Sequence, residues 1–203
     1  MYDVLVGRMQ KYVFISTVSV YDEQIPAGAT ESAALCSAET VLQSDPISLP
    51  MTGEVYGPLK VLCEQAVSLH YPDNLRIRPT YVIGPGDYTK RFSKWVELIA
   101  AGGVVDAPEP KVSPMQYIDV RDLAEFTLSA IAADRQGAVH VATPNGGLQF
   151  EDMLRTIQQA VGPKAATLNW MPVEQALPRA ADFPLWAEGE SAGMLALNTD
   201  LAR

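Results

Sequence analysis

A chain of 203 residues, 48% hydrophobic and 19% charged with 14 glycines and 15 prolines, is long enough to bury a core and too ordinary in composition to be disordered, collagenous or disulfide-dense. Its net charge of −9, from 15 basic and 24 acidic residues, comes without a basic stripe and argues against a nucleic-acid partner. No run of about 18 apolar residues is present to span a membrane. The opening MYDVLVGRMQ lacks the basic and apolar regions of a secretory leader, and Cys36 and Cys63 show no metal-ligand spacing, so no metal and a reduced, cytoplasmic setting are expected.

In chain order, residues 12–16 (YVFIS) form a continuous β-rich run of the kind buried on both faces of a parallel sheet. Residues 22–52 are rich in Pro, Ser, Ala and Gly and read as loop. Over residues 54–70, Val55, Leu59, Leu62, Ala66, Val67 and Leu69 recur at helical spacing. Pro58 is placed early, in a first turn that tolerates it, and Pro72 with Asp73 and Asn74 ends the helix. Residues 75–78 alternate as a strand that runs into the turn Gly84-Pro85-Gly86. Further helices are predicted over 92–101, 122–133 and 150–161, the first and last stopped by glycines, and short strands over 115–120, 139–142 and 167–171. Strand–helix alternation predicts an α/β architecture with a mostly parallel sheet and, from about Arg91 onward, a smaller lobe set against it.

Two stretches hold residue types suited to proton transfer. In Tyr56-Gly57-Pro58-Leu59-Lys60, a tyrosine and a lysine stand four apart and share one face of the predicted helix. A tyrosine of ordinary pKa needs about 3 units of depression, about 4 kcal/mol, to act as a base at neutral pH, and a neighbouring ammonium supplies part of that. Alone, this spacing is a weak signal. Ser16-Thr17-Val18-Ser19-Val20-Tyr21 directly follows the first strand, where residues past the carboxyl end of a parallel strand face the ligand crevice. A hydroxyl there can hold a substrate oxygen beside a phenol, although Ser and Thr also end strands as plain caps. Residues 78–87 read as a strand ending in a turn, and residues 116–124 as an acidic helix start favoured by the helix dipole.

Taken in order and spacing, STVSVY, YGPLK, RPTYVIGPGD and QYIDVRDLAEF resemble the NAD-dependent epimerase/dehydratase family of the extended short-chain dehydrogenase/reductase superfamily. The resemblance runs from about residue 11 to the end of the chain and is densest over 12–87. It implies an incomplete Rossmann-like parallel sheet with a smaller C-terminal substrate lobe. Residues 1–90 would carry the catalytic residues, and 91–203 would form mainly the substrate lobe, with elements returning to the sheet. It also implies NAD or NADP as cofactor and a small hydroxy or carbonyl substrate of the nucleotide-sugar kind. Thr17 corresponds to the catalytic Ser/Thr that holds the reacting oxygen, and Tyr56 to the tyrosine that moves the proton. Lys60 corresponds to the lysine that lowers the tyrosine's pKa and binds the nicotinamide ribose. Pro79, Tyr81 and Val82 lie in the segment that borders the nicotinamide, and Arg91 and Phe92 fall where substrate contacts begin.

The departures from the family pattern are as informative. The interval between Thr17 and Tyr56 is longer than many members have, which implies an enlarged loop over the site. The family opens with a G-x-x-G-x-x-G turn that cradles the pyrophosphate, and no such motif occurs here. By resemblance the chain begins just before the fifth strand of the family's sheet, with residues 1–10 the tail of the preceding helix. Weak or no dinucleotide binding by this chain alone is therefore expected. Strand 12–16 would lie at an open edge, to be covered by a second copy or by a complementing N-terminal half. The alternative functional class is a non-catalytic binding or self-associating scaffold module of the same fold.

Overall fold

The computed structural model describes residues 7–202 apart from 23, 46–47, 111–112, 145–146, 163 and 187–193. The chain runs β1 (Tyr12–Ile15), α1 (Glu39–Leu42), α2 (Gly53–His70), β2 (Asn74–Pro79), β3 (Tyr81–Ile83), α3 (Arg91–Ala101), β4 (Val104–Pro108), β5 (Tyr117–Asp119), α4 (Val120–Ala132), β6 (Gly137–Val141), α5 (Phe150–Val161), β7 (Thr167–Met171) and α6 (Val173–Ala176). Short 3-10 turns cover Val18–Val20, Leu177–Asp182 and Asp200–Ala202. Three parallel strands in the order β1-β2-β6 make the main sheet, and β3-β5 and β4-β7 are separate parallel pairs. The result is an α/β fold: a Rossmann-like parallel sheet with a smaller C-terminal lobe of helices and strands.

The central strand β2 shows why this sheet is stable. Leu75 and Ile77 are fully buried and meet Val139 and Val141 of β6, with Leu123 and Ala130 of α4 closing one face. In the smaller lobe, Phe150, Met153, Leu154 and Ile157 of α5 recur at the helical period and are all buried. They pack with Trp95 and Ile99 of α3, and Trp95 meets Phe150 edge-on at 5.6 Å and stacks over Phe183 at 6.4 Å. The Trp95 indole N–H donates to the Pro184 carbonyl at 2.7 Å, so this large side chain is buried with its polar atom satisfied.

Several sequence expectations need correction. Helix α2 begins at Gly53, so Pro58 lies in its second turn and not its first, and one backbone hydrogen bond is forgone there. Strand β4 was not expected, because only two apolar residues precede Asp106; its pairing with β7, Val104 opposite Thr167 through Pro108 opposite Met171, makes it a strand. The first strand is not buried on both faces, since every residue of β1 is partly exposed and Ile15 is 44% exposed. Residues 7–10 form a turn and bend, and residues 1–6 of the expected helix tail lie outside the described residues.

The exposure of β1 follows from its place at the sheet edge. Tyr12 N donates to Asp73 O and Ser16 N to Ile77 O, so alternate residues point their backbone groups at β2. Val13 then turns its backbone groups to the open side, a template for further pairing, while the Ile15 carbonyl on that side accepts from the Lys60 ammonium. The chain is expected to elute larger than a monomer, or to aggregate, in size-exclusion chromatography with light scattering. A concentration-independent 22.0 kDa species would contradict this reading of the edge. Among the described residues no helix is long and apolar enough to cross a membrane.

Candidate active site

At the carboxyl end of β1 lies a cavity of about 560 Å³, walled by the β1 end, α2, the β2–β3 segment and residues 194–195. The side of the cavity nearest β1 is set by the 3-10 turn at Val18–Val20. Thr17 caps that turn: its hydroxyl oxygen accepts from Ser19 N at 3.1 Å and donates to Ser19 Oγ at 3.2 Å. Ser16, 4% exposed, instead commits its hydroxyl to Glu64 Oε1 at 2.6 Å. Of the two adjacent hydroxyls, Thr17 is thus the one whose partner a ligand oxygen could replace.

Helix α2 brings the second group of residues. Gly57 makes the approach possible, because a Cβ there would stand 2.2 Å from the Ser19 carbonyl oxygen. No larger residue fits between Tyr56 and Pro58 at this spacing. Tyr56, 37% exposed, sits on the cavity wall, and Lys60 lies one turn further along the same helix. The Lys60 ammonium donates to the Ile15 carbonyl at 2.7 Å and lies 4.3 Å from the centre of the Phe14 ring. Burial lowers the Lys60 pKa below the usual lysine value, with Cys63 and Glu64 pulling it partly back up.

The opposite wall is the segment from Pro79 to Val82, followed by Tyr88 and Arg91. Burial raises the Tyr81 pKa, against the pull of Arg91, whose guanidinium lies 4.9 Å from the Tyr81 ring centre. Arg91 also donates from Nε to Thr89 Oγ1 at 2.9 Å. Met51 and Tyr88, both largely exposed, flank the cavity. Two cations, Lys60 and Arg91, line this space, and no acidic side chain does so among the described residues. In a chain of net charge −9, this makes the cavity wall locally cationic.

The structure therefore gathers Thr17, Tyr56, Lys60, Pro79, Tyr81, Val82 and Arg91 around one space. Phe92 does not line it: its ring packs 6.1 Å from that of Tyr117 against the core of the smaller lobe. Sequence reading did not single out Met51, Tyr88, Met194 or Leu195. The last two arrive because fully buried Gln116 pins the C-terminal segment, accepting from Leu197 N at 2.7 Å and donating to Leu197 O at 2.9 Å. No local pattern around residue 194 signals that contact. Among the described residues, no group of three or more His, Cys, Asp or Glu side chains is placed to hold a metal ion.

No protein-family model and no curated protein sequence matches the chain. Solved structures do. A dTDP-4-dehydrorhamnose reductase from Clostridium acetobutylicum superposes with a TM-score of 0.61 at 18% identity, over 94% of this chain and 57% of that one. UDP-glucuronic acid 4-epimerase from Bacillus cereus, in complex with NAD, gives 0.62 at 13% identity, over 97% and 63%. A dTDP-4-dehydrorhamnose reductase from Bacillus anthracis, in complex with NADP, gives 0.62 at 17% identity, over 95% and 67%. The chain thus spans about three fifths of the length of the structures it matches, and what it shares with these reductases and epimerases is their fold.

Proposed function

We propose that the chain carries the catalytic part of an NAD(P)-dependent oxidoreductase or epimerase acting on a hydroxyl or carbonyl carbon of a nucleotide-linked sugar. The observation that supports this most directly is the convergence of Thr17, Tyr56 and Lys60 on one cavity at the end of a parallel strand, in the fold of known reductases and epimerases. In this reading, the Tyr56 hydroxyl gives a proton to, or takes one from, the substrate oxygen. The Thr17 hydroxyl exchanges its Ser19 Oγ partner for the same oxygen and fixes its position. Lys60, a cation held in a partly desolvated place, lowers the free energy of the Tyr56 phenolate. Arg91 faces the phosphate-bearing end of the substrate.

The residues present fit the nicotinamide end of a dinucleotide: Lys60 offers a donor for ribose hydroxyls, and the wall from Pro79 to Val82 offers a surface for the ring. The bound nicotinamide would supply or accept the hydride. The pyrophosphate end has no matching cradle, because the sequence contains no G-x-x-G-x-x-G turn to present backbone N–H groups at a helix start. With the chain alone, no change in NADH fluorescence is expected at millimolar cofactor. Saturable binding in the micromolar range would overturn this and reveal a second route to dinucleotide binding. Tyr56→Phe, which deletes the hydroxyl and keeps the ring, tests the catalytic assignment by loss of turnover.

A second reading, a self-associating module without catalysis, draws on the open edge of β1. It differs in outcome: self-association would persist in Tyr56→Phe and Lys60→Ala variants, and no turnover would accompany it.

A further inference from the structure

Behind the cavity lies a buried polar chain that the proton transfer itself does not use. Glu64, 1% exposed, stands one helical turn beyond Lys60 on α2. Its Oε1 accepts from Ser16 Oγ at 2.6 Å and from Arg78 Nε at 2.9 Å, and its Oε2 accepts from Arg78 Nη2 at 2.6 Å. Arg78 Nη1 carries the chain onward to the Tyr21 hydroxyl at 2.5 Å and to the Glu31 carbonyl at 3.0 Å. The end of β1, helix α2, strand β2 and the turn that follows Thr17 are all tied at this point.

A buried ion pair is a poor source of stability, because desolvating both charges offsets much of their attraction; apolar replacement of the whole pair is often neutral or better. What such a pair does supply is direction. The Arg78 fork fixes the plane of the Glu64 carboxylate, and that carboxylate in turn holds Ser16, the residue before Thr17. Glu64 sits on the helix that carries Tyr56 and Lys60, so its bonds set the spacing between the two halves of the cavity wall.

We propose that Glu64 is a positioning residue for this site: by holding Ser16 and Arg78 at once, it fixes where Thr17 and Lys60 stand in the cavity. The proposal rests on the reading of Thr17, Tyr56 and Lys60 as the reactive set. Glu64 also favours the Lys60 ammonium through its negative charge, which gives an observable that needs no turnover.

The full chain, labelled with ¹³C at lysine Cε and at threonine methyls, reports both groups by NMR, with signals assigned through Lys60→Arg and Thr17→Ser. In Glu64→Gln, the Lys60 titration is expected at lower pH than in the parent and the Thr17 methyl signal is expected to shift. Lys164 and Thr156, in the smaller lobe, should keep their parental values. Because Glu64→Gln leaves the Arg78 charge without its counter-ion, the double variant E64M/R78M is the second arm. It is expected to fold with a melting temperature close to the parent's while shifting the Thr17 methyl signal, with a smaller displacement of Lys60 than in Glu64→Gln because both charges of the pair are gone. Parental Lys60 and Thr17 signals in a folded double variant would overturn the proposal, and so would a double variant that does not fold. Absence of turnover in the parent would refute the oxidoreductase reading and leave this readout standing.

Discussion

Arg78→Ala is expected to lower the unfolding free energy by about 3–5 kcal/mol, a large share of the roughly 5–15 kcal/mol typical of a folded domain. The loss is large because Glu64 stays behind as a buried carboxylate, with the Ser16 hydroxyl and, at 3.6 Å, the Arg76 guanidinium as its remaining partners. Tyr21 loses a donor at the same time. Urea denaturation measures the effect; a loss below about 1 kcal/mol, the scale of an exposed pair, would show that water reaches this network.

The same network fixes how stability depends on pH. Burial raises the Glu64 pKa, but the hydrogen bonds from Arg78 and Ser16 outweigh it, and the net value lies below the ordinary one. The unfolded chain, with a glutamate pKa near about 4.3, therefore takes up this proton first as pH falls. The stability Glu64 contributes is present above that value and lost below it. His140, fully buried, adds an earlier stage. Its Nδ1 lies 2.7 Å from the Asn198 carbonyl and so carries the proton; its Nε2, 2.5 Å from the Tyr21 hydroxyl, then accepts from Tyr21. Burial pushes the Tyr21 pKa up to about 12, so the phenol remains a donor throughout. Burial outweighs the opposing pull of the Asn198 carbonyl and Glu31 and, with a smaller push from the charge of Arg78, holds the His140 pKa below its ordinary value. Below about pH 6.5 the unfolded chain is protonated at this position before the folded one, and stability begins to fall. The midpoint of urea unfolding is thus expected to drop in two stages, the first as pH falls below about 6.5 and the second as it falls below about 4.3. His140→Gln, which cannot titrate, should remove the upper stage; its persistence in that variant would contradict the role given to His140.

Much of this architecture is legible in the sequence because the responsible forces are local. The period of Phe150, Met153, Leu154 and Ile157 announces α5, and the glycines at 102 and 162 stop their helices with positive φ. The positions of Thr17, Tyr56 and Lys60 follow from a strand end and a helix face, which short-range patterns encode. Tertiary contacts are not encoded that way. Strand β4 exists because β7 lies beside it, and Met194 and Leu195 reach the cavity because Gln116 holds a segment distant in sequence. That Arg78 and Glu64 meet at 2.6 Å in the core is set by how α2 lies on β2. Phe92 shows the opposite case, a residue next to the site in sequence that turns its ring into the smaller lobe.

Tyr56→Phe should lower kcat by about 10²–10⁴-fold, the range associated with loss of a positioned proton donor. The ring remains to fill its place on the cavity wall, and because Tyr56 is 37% exposed, stability should change by no more than about 0.5 kcal/mol. That separation of activity from folding makes the variant diagnostic. Lys60→Ala should act in the same direction, by removing the cation that stands one helical turn from Tyr56 on the cavity wall. The decisive measurement is turnover of UDP- and dTDP-linked sugars with NAD(P)(H), by parent and Tyr56→Phe chains each mixed with the dinucleotide-binding half of a matched reductase. Turnover by the parent and its near-complete loss in Tyr56→Phe are the expected result; equal turnover by the two chains, or none by the parent, would contradict the assignment of this cavity as the active site.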